Sequence, residues 1–209
     1  MWKISLALII IVGSATFYFT SQNYKNTSHS ASKRTWFDEK GHLHVMGVVL
    51  GESTLRDAEK AFRSRADAAI FLYPDNTKNN QGEQHFHGQL EAYFPSIADH
   101  SKIILKMITT PKELEAMRQR SSAPRIYPNG VIRMNLSNED IIAVQHKTFD
   151  QFILIPSVQL DESILKAQFG EPESINQEGG TIIRYSFPKI GLTATIDSSG
   201  KDKLTFANP

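Results

Sequence analysis

The sequence predicts an α+β fold, a mainly antiparallel sheet with short helices, preceded by an N-terminal hydrophobic helix. Three observations predict it. Short apolar runs bounded by turn residues recur along the chain. Four short amphipathic stretches open on capping signals. The tetrapeptide Phe94-Pro95-Ser96-Ile97 returns as Phe187-Pro188-Lys189-Ile190, each copy following a tyrosine, Tyr93 or Tyr185. The order of elements around the two copies also matches. This points to two tandem helix-plus-sheet units, residues 42–108 and 149–206, against the competing explanation of a chance tetrapeptide.

Residues 1–20 form the first element. No charge occurs from Ile4 to Tyr24, and Ile4 to Phe19 is almost wholly apolar behind a positive head of Lys3 and the α-amino group. The stretch reads as a signal anchor or a cleavable signal peptide. Trp2 at one end and Phe17, Tyr18 and Phe19 at the other suit the two membrane interfaces and favour the anchor, although the stretch is a little short of the ~20 residues of a full span. Cleavage near Ala15, after Gly13-Ser14, is the alternative. The expected location is the cytoplasmic (inner) membrane, crossed once by residues 4–19, with the remainder in the periplasm. Lys25, Lys33 and Arg34 mildly oppose that orientation. Residues 21–34 are polar, Ser/Asn/Thr-rich and aperiodic, a flexible linker.

Residues 35–209 form the extracytoplasmic domain. Thr35 to Phe37 reads as a strand, Asp38 to Gly41 as a turn and His42 to Leu50 as a longer buried strand. Thr54, with Asp57 three residues on, opens a helix whose apolar face is Leu55, Ala58, Ala61 and Phe62. Ala68 to Tyr73 is a buried strand, Pro74 to Glu83 a polar loop, and Gln84 to Phe94 and Lys102 to Ile108 are strands. Thr110-Pro111-Lys112-Glu113 is a strong helix start with Pro at the first helical position. Tyr127 to Gly130 is a turn, and Val131 to Leu136 a strand. Ser137 caps a short helix over Glu139 to His146, and Phe149 to Ile155 is a strand. Asp161 caps a helix burying Ile164, Leu165 and Phe169, ended by Gly170 and Pro172. Strands Thr181–Phe187, Leu192–Ile196 and Lys203–Phe206 follow.

Asp161 to Pro172, then Tyr185, then Gly191-Leu192 resemble the helix, Gly-x-Pro, hairpin and Tyr…Gly-Leu pattern of an envelope family, best over residues 161–196. That family contains the small outer-membrane assembly lipoprotein of the SmpA/OmlA type and the β-lactamase inhibitor protein. Leu50-Gly51-Glu52-Ser53-Thr54 is similar to the same family's entry to its helix. The chain departs from the family in lacking the lipobox cysteine, in its long intervening segments and in having one helix per unit. The resemblance implies a periplasmic protein-binding module working by surface complementarity. It transfers no functional residue.

Composition narrows the functions. The 209 residues are 40% hydrophobic and 22% charged, ordinary globular values, with a net charge of +1. No overall field draws the chain to nucleic acid, so no nucleic-acid partner is expected. The absence of cysteine excludes disulfides, thiolate metal sites, thiol nucleophiles and a lipoprotein anchor. Two period-two pairs, His42/His44 and His85/His87, project from one face of their strands. On neighbouring strands they would offer four imidazoles to Zn²⁺ or Cu²⁺, an alternative reading as a metal-binding protein. No carboxylate is obviously placed to orient the rings. Ser163-x-x-Lys166 matches a penicillin-recognising motif, but so do Ser30-x-x-Lys33 and Ser198-x-x-Lys201, and the accompanying elements are missing. Arg118, Arg120 and Arg125 form a basic cluster, the first two explained by a helix C-terminus. No catalytic residue and no cofactor is expected. A non-enzymatic module with a protein partner in the envelope stands ahead of the metal reading, and an enzyme behind both.

Overall fold

Local chemistry sets the first turns of the domain. The computed structural model describes residues 35–78 and 84–209, and the N-terminal hydrophobic segment and linker lie outside the described residues. The first strands are β1 (Thr35–Phe37), β2 (Leu43–Val45) and β3 (Val48–Val49), an antiparallel three-stranded sheet. Asp38 makes the first turn, its carboxylate accepting the Lys40 and His42 N–H groups at 2.9 Å each. The single strand expected from His42 to Leu50 is instead a hairpin. Met46 and Gly47 both have left-handed φ, 49° and 90°, and reverse the chain.

Next come α1 (Leu55–Phe62), β4 (Asp67–Lys78), β5 (Gln84–Phe94) and β6 (Lys102–Met107). Thr54 and Asp57 form the full reciprocal capping box of α1. β4 runs past Tyr73 into the expected loop, and its register with β5 shifts after Pro74, which has no N–H for the ladder. Then follow α2 (Pro111–Arg120), β7 (Ser122–Ile126), β8 (Ile132–Asn135), α3 (Asn138–Val144) and β9 (Phe149–Ile155). The last group is α4 (Glu162–Phe169), β10 (Ser174–Glu178), β11 (Ile182–Phe187), a 3₁₀ turn at Pro188–Ile190, β12 (Leu192–Asp197) and β13 (Lys203–Ala207). β7 and β10 are strands that the sequence did not announce.

The fold is therefore α+β with an antiparallel ten-stranded sheet, in the order β10-β11-β12-β13-β9-β6-β5-β4-β8-β7. Two meanders, β4-β5-β6 and β10-β11-β12, lie in it, each directly after a helix. α1 and α4 are both eight residues long. Thr54 and Asp161, Phe62 and Phe169, and Asp67 and Ser174 are separated by the same number of residues. Phe94 ends the middle strand of the first meander and Phe187 that of the second. Each helix closes with a phenylalanine on that residue: Phe62 meets Phe94 with ring centroids 5.2 Å apart, and Phe169 meets Phe187 at 5.8 Å. The two Phe-Pro-x-Ile copies thus occupy equivalent places in the sheet.

All four α-helices among the described residues, and the small sheet, send apolar side chains into one core, on the face carrying Ile70, Leu90, Phe94, Leu105, Phe152 and Phe206. Each such buried side chain contributes about 1.5–3 kcal/mol. Phe62, Phe152 and Phe206 continue the edge-to-face contacts across the middle of the sheet, at centroid separations of 5.9 Å. The small sheet meets the large one at Gly191. A Cβ there would lie 2.5 Å from the Ala207 carbonyl oxygen and 2.6 Å from Leu43 Cδ2, and its φ of +59° is left-handed. Both sheet edges are blunted: β7 carries Pro124 and left-handed Ala123, and β10 is short and ends in Glu178.

Candidate functional site: the open face of the large sheet

With every helix on the core side, the other face of the ten-stranded sheet has no covering layer among the described residues. The cross-strand register defines what it presents. One row runs Ser174, Ser186, Thr193, Thr205, Ile153, Ile104, Tyr93, Asp67 over eight strands. A second row in the first half runs Gln151, Lys106, Glu91, Ala69, Asn135. The surface grades from hydroxyls over β11 to β13, through half-buried Ile153, Ile104 and Tyr93, to a polar network over β4 and β5.

That network is satisfied within itself. Glu91 is 4% exposed and accepts a hydrogen bond from Tyr73 Oη at 2.8 Å. Burial pushes the Glu91 carboxyl above its ordinary range, against the opposing pull of the Tyr73 bond and Lys106. Burial, with Glu91 alongside, pushes the Tyr73 phenol far up. Tyr73 also stacks on His87, whose Nδ1 lies 2.8 Å from Asp75 Oδ1. Arg133 spans β8 and β4 to hold both Asp67 oxygens at 2.7 and 2.8 Å. These pairs lock side-chain positions across strands and leave the face pre-ordered.

The sequence-predicted histidines fall into two separate settings. The alternation holds at β2, where Leu43 and Val45 are buried and His42 and His44 face outward. His44 Nε2 lies 3.3 Å from Asp38 Oδ2 and its ring stacks on Trp36 at 4.6 Å. His42 reaches Asp38 and Glu52 at 3.6 and 3.7 Å. The backbone N–H of His42 is the main cause holding the Asp38 carboxyl below its ordinary range. His85 and His87 lie on β5, in the other sheet. β2 and β5 are thus not neighbouring strands. Carboxylates do orient the rings, contrary to expectation: Asp38 for the first pair and Asp75 for His87. Among the described residues, no group of three or more His, Asp or Glu side chains is arranged to hold a metal ion.

The remaining candidates have local partners. Ser163 Oγ donates to the cap residue Asp161 at 2.6 Å, and Lys166 sits between Glu162 and Glu171 at 3.0 Å each. Arg118 holds Glu115 in two bonds of 2.7 and 2.8 Å. Arg120 does more than face a helix end: it pairs at 2.6 Å with Asp140, whose side chain is buried. That contact is the largest cause holding the Asp140 carboxyl low. Arg125 lies over the Tyr127 ring at 5.2 Å. The open face itself went unread in the sequence, because parity gives each strand's two faces but not which strands are neighbours.

The fold and face define a class: an α+β domain that, among the described residues, has helices on one side of an antiparallel sheet and no layer on the other. No family model, curated protein or solved structure matches the chain.

Proposed function

We propose that the chain is a non-enzymatic, membrane-tethered module of the bacterial envelope, binding another protein across the open face of its ten-stranded sheet. The observation that carries this reading is the face itself. A sheet uncovered on one side among the described residues, with half-buried Ile153, Ile104 and Tyr93 at its middle and hydroxyl and charged groups around them, has the apolar-centre, polar-rim arrangement of a recognition surface. The blunted edges make strand addition a poor alternative, so the partner meets side chains and not backbone. The tether rests on the sequence from Ile4 to Phe19; among the described residues no helix is long and apolar enough to cross a membrane. The equal spacings from Thr54 through Phe62 to Asp67 and from Asp161 through Phe169 to Ser174, and the matched Phe62/Phe94 and Phe169/Phe187 corners, support reading residues 42–108 and 149–206 as tandem copies of one unit.

Two experiments test this reading. A phosphatase fused after Pro209 should be active in a bacterial host; an inactive, cytoplasmic fusion removes the envelope assignment. Photo-crosslinking residues at Tyr93, Ile153 and Thr193 should each trap the same discrete adduct, lost on Ile153→Glu. Adducts absent from all three positions, or unaffected by the charge, would overturn the proposed face.

A further inference from the structure

A groove of about 610 Å³ separates α1 from α3. One wall carries Arg56 and Lys60 of α1 and, beyond the helix end, Arg63 and Arg65. The other carries Ile141 and Ile142, 47% and 68% exposed. Among the described residues, Arg56, Arg63 and Arg65 have no carboxylate within ion-pair distance, and Lys60 has only Asp57, at 3.8 Å. The carboxylate lining the groove, Glu59, already accepts the Ala66 N–H at 3.0 Å and the Gln145 amide at 3.5 Å. The groove is therefore cationic beside an apolar pair.

The fold does not require those cations. At the matching positions of α4 and its exit stand Ser163, Ala167, Gly170 and Pro172. Arg63 is the telling case. It caps α1 with φ 52° and ψ 37°, a left-handed conformation that suits glycine, and α4 has Gly170 at that point. An arginine there carries backbone strain that a glycine would relieve, and strain of this kind concentrates where a side chain is used.

We propose that this groove docks an acidic segment of a partner protein, its carboxylates meeting the arginines and its apolar side chains covering Ile141 and Ile142. Guanidinium groups suit paired recognition of carboxylates, and the exposed isoleucines give an inserted segment an apolar seat. Because the cations and the isoleucines stand on facing walls, an inserted segment engages both; a flat anionic lipid surface would meet only the rims. The groove lies on the helix side of the molecule, and the inference stands independently of the open face.

The test uses the full-length chain in non-ionic detergent and a fluorescein-labelled peptide carrying Glu and Leu at helical spacing, read by anisotropy. The peptide should bind, more weakly as salt rises, while its Lys-for-Glu counterpart should not. The combined substitution Arg56→Ser, Lys60→Ala, Arg63→Gly, which installs the α4 residues, should weaken binding roughly tenfold or more. Ile141→Ser with Ile142→Ser should weaken it as well. Arg63→Gly removes strain, so the thermal midpoint should hold or rise, separating lost binding from lost fold. Ile153→Glu on the open face should leave the peptide bound, which keeps failure of the two proposals distinguishable. Equal binding of the Lys peptide, unchanged affinity after the triple substitution, or binding to phosphatidylglycerol-doped micelles without peptide binding would each overturn the proposal.

Discussion

The helix-and-meander regions around Phe94 and Phe187 solve one packing problem with different surroundings. Both place an eight-residue helix before three antiparallel strands and close the corner with two phenylalanines. The first is extended: β4 and β5 have 12 and 11 residues against 5 and 6 in β10 and β11. It also carries α2, β7, β8 and α3 between its meander and β9, where the second passes directly from β12 to β13. Glu91, buried beside Tyr73, stands in β5 where β11 has exposed Arg184, which pairs with Glu178 at 3.0 Å. The shared corner is what the sheet needs. The differences lie on surfaces and additions, and the cationic groove between α1 and α3 is found among them.

The comparison breaks most sharply at the corner. Phe94→Ala and Phe187→Ala should each cost about 3–5 kcal/mol in urea unfolding; a silent change at either would mean that the corners are not equivalent. Gly191→Ala should cost about 2–4 kcal/mol, since the added methyl meets backbone in a left-handed conformation, and this cost is peculiar to the second region. Glu91 and Arg184 separate next. The raised Glu91 carboxyl favours the protonated native state, a contribution fully present below the unfolded carboxyl's ordinary value and lost as pH rises through the native one. Glu91→Gln should therefore stabilise at neutral pH by about 1 kcal/mol, and the gain should vanish in acid, whereas Arg184→Gln should change stability by less than about 0.5 kcal/mol. The smallest effect falls at the exit of α1. Arg63→Gly should raise stability by about 0.5–1 kcal/mol in urea unfolding; a loss would deny that the left-handed arginine backbone is strained.

What was legible in the sequence was what neighbours along the chain decide. The Thr54, Thr110, Ser137 and Asp161 caps each form as read, because a cap needs only residues a few positions away. Phe149–Ile155 and Gln84–Phe94 form as read because their β-branched, aromatic and alternating residues already fit a pleated surface. β7 and β10, exposed along their whole length and without alternation, are strands only because β8 and β11 lie beside them. The turn at Met46-Gly47 hid inside an apolar run. Of the site, the outward parity of His42 and His44 was legible, but their assignment to a different sheet from His85 and His87 was not. The row through Thr193, Ile153 and Tyr93 depends on partners far along the chain, and so does the groove pairing Arg63 with Ile142.

The seam of the large sheet also has a consequence in time. β9 and β13 join the two meanders, with Ile153 opposite Thr205, and β13 is inserted between β9 and β12. A chain emerging N-terminus first holds two separate half-sheets, each with a raw hydrogen-bonding edge, until this strand arrives. Such distant pairing makes the closing step slow and leaves those edges open to wrong partners meanwhile. On the export route proposed above, that delay is useful: the two half-sheets cannot join until Thr205 has crossed the membrane.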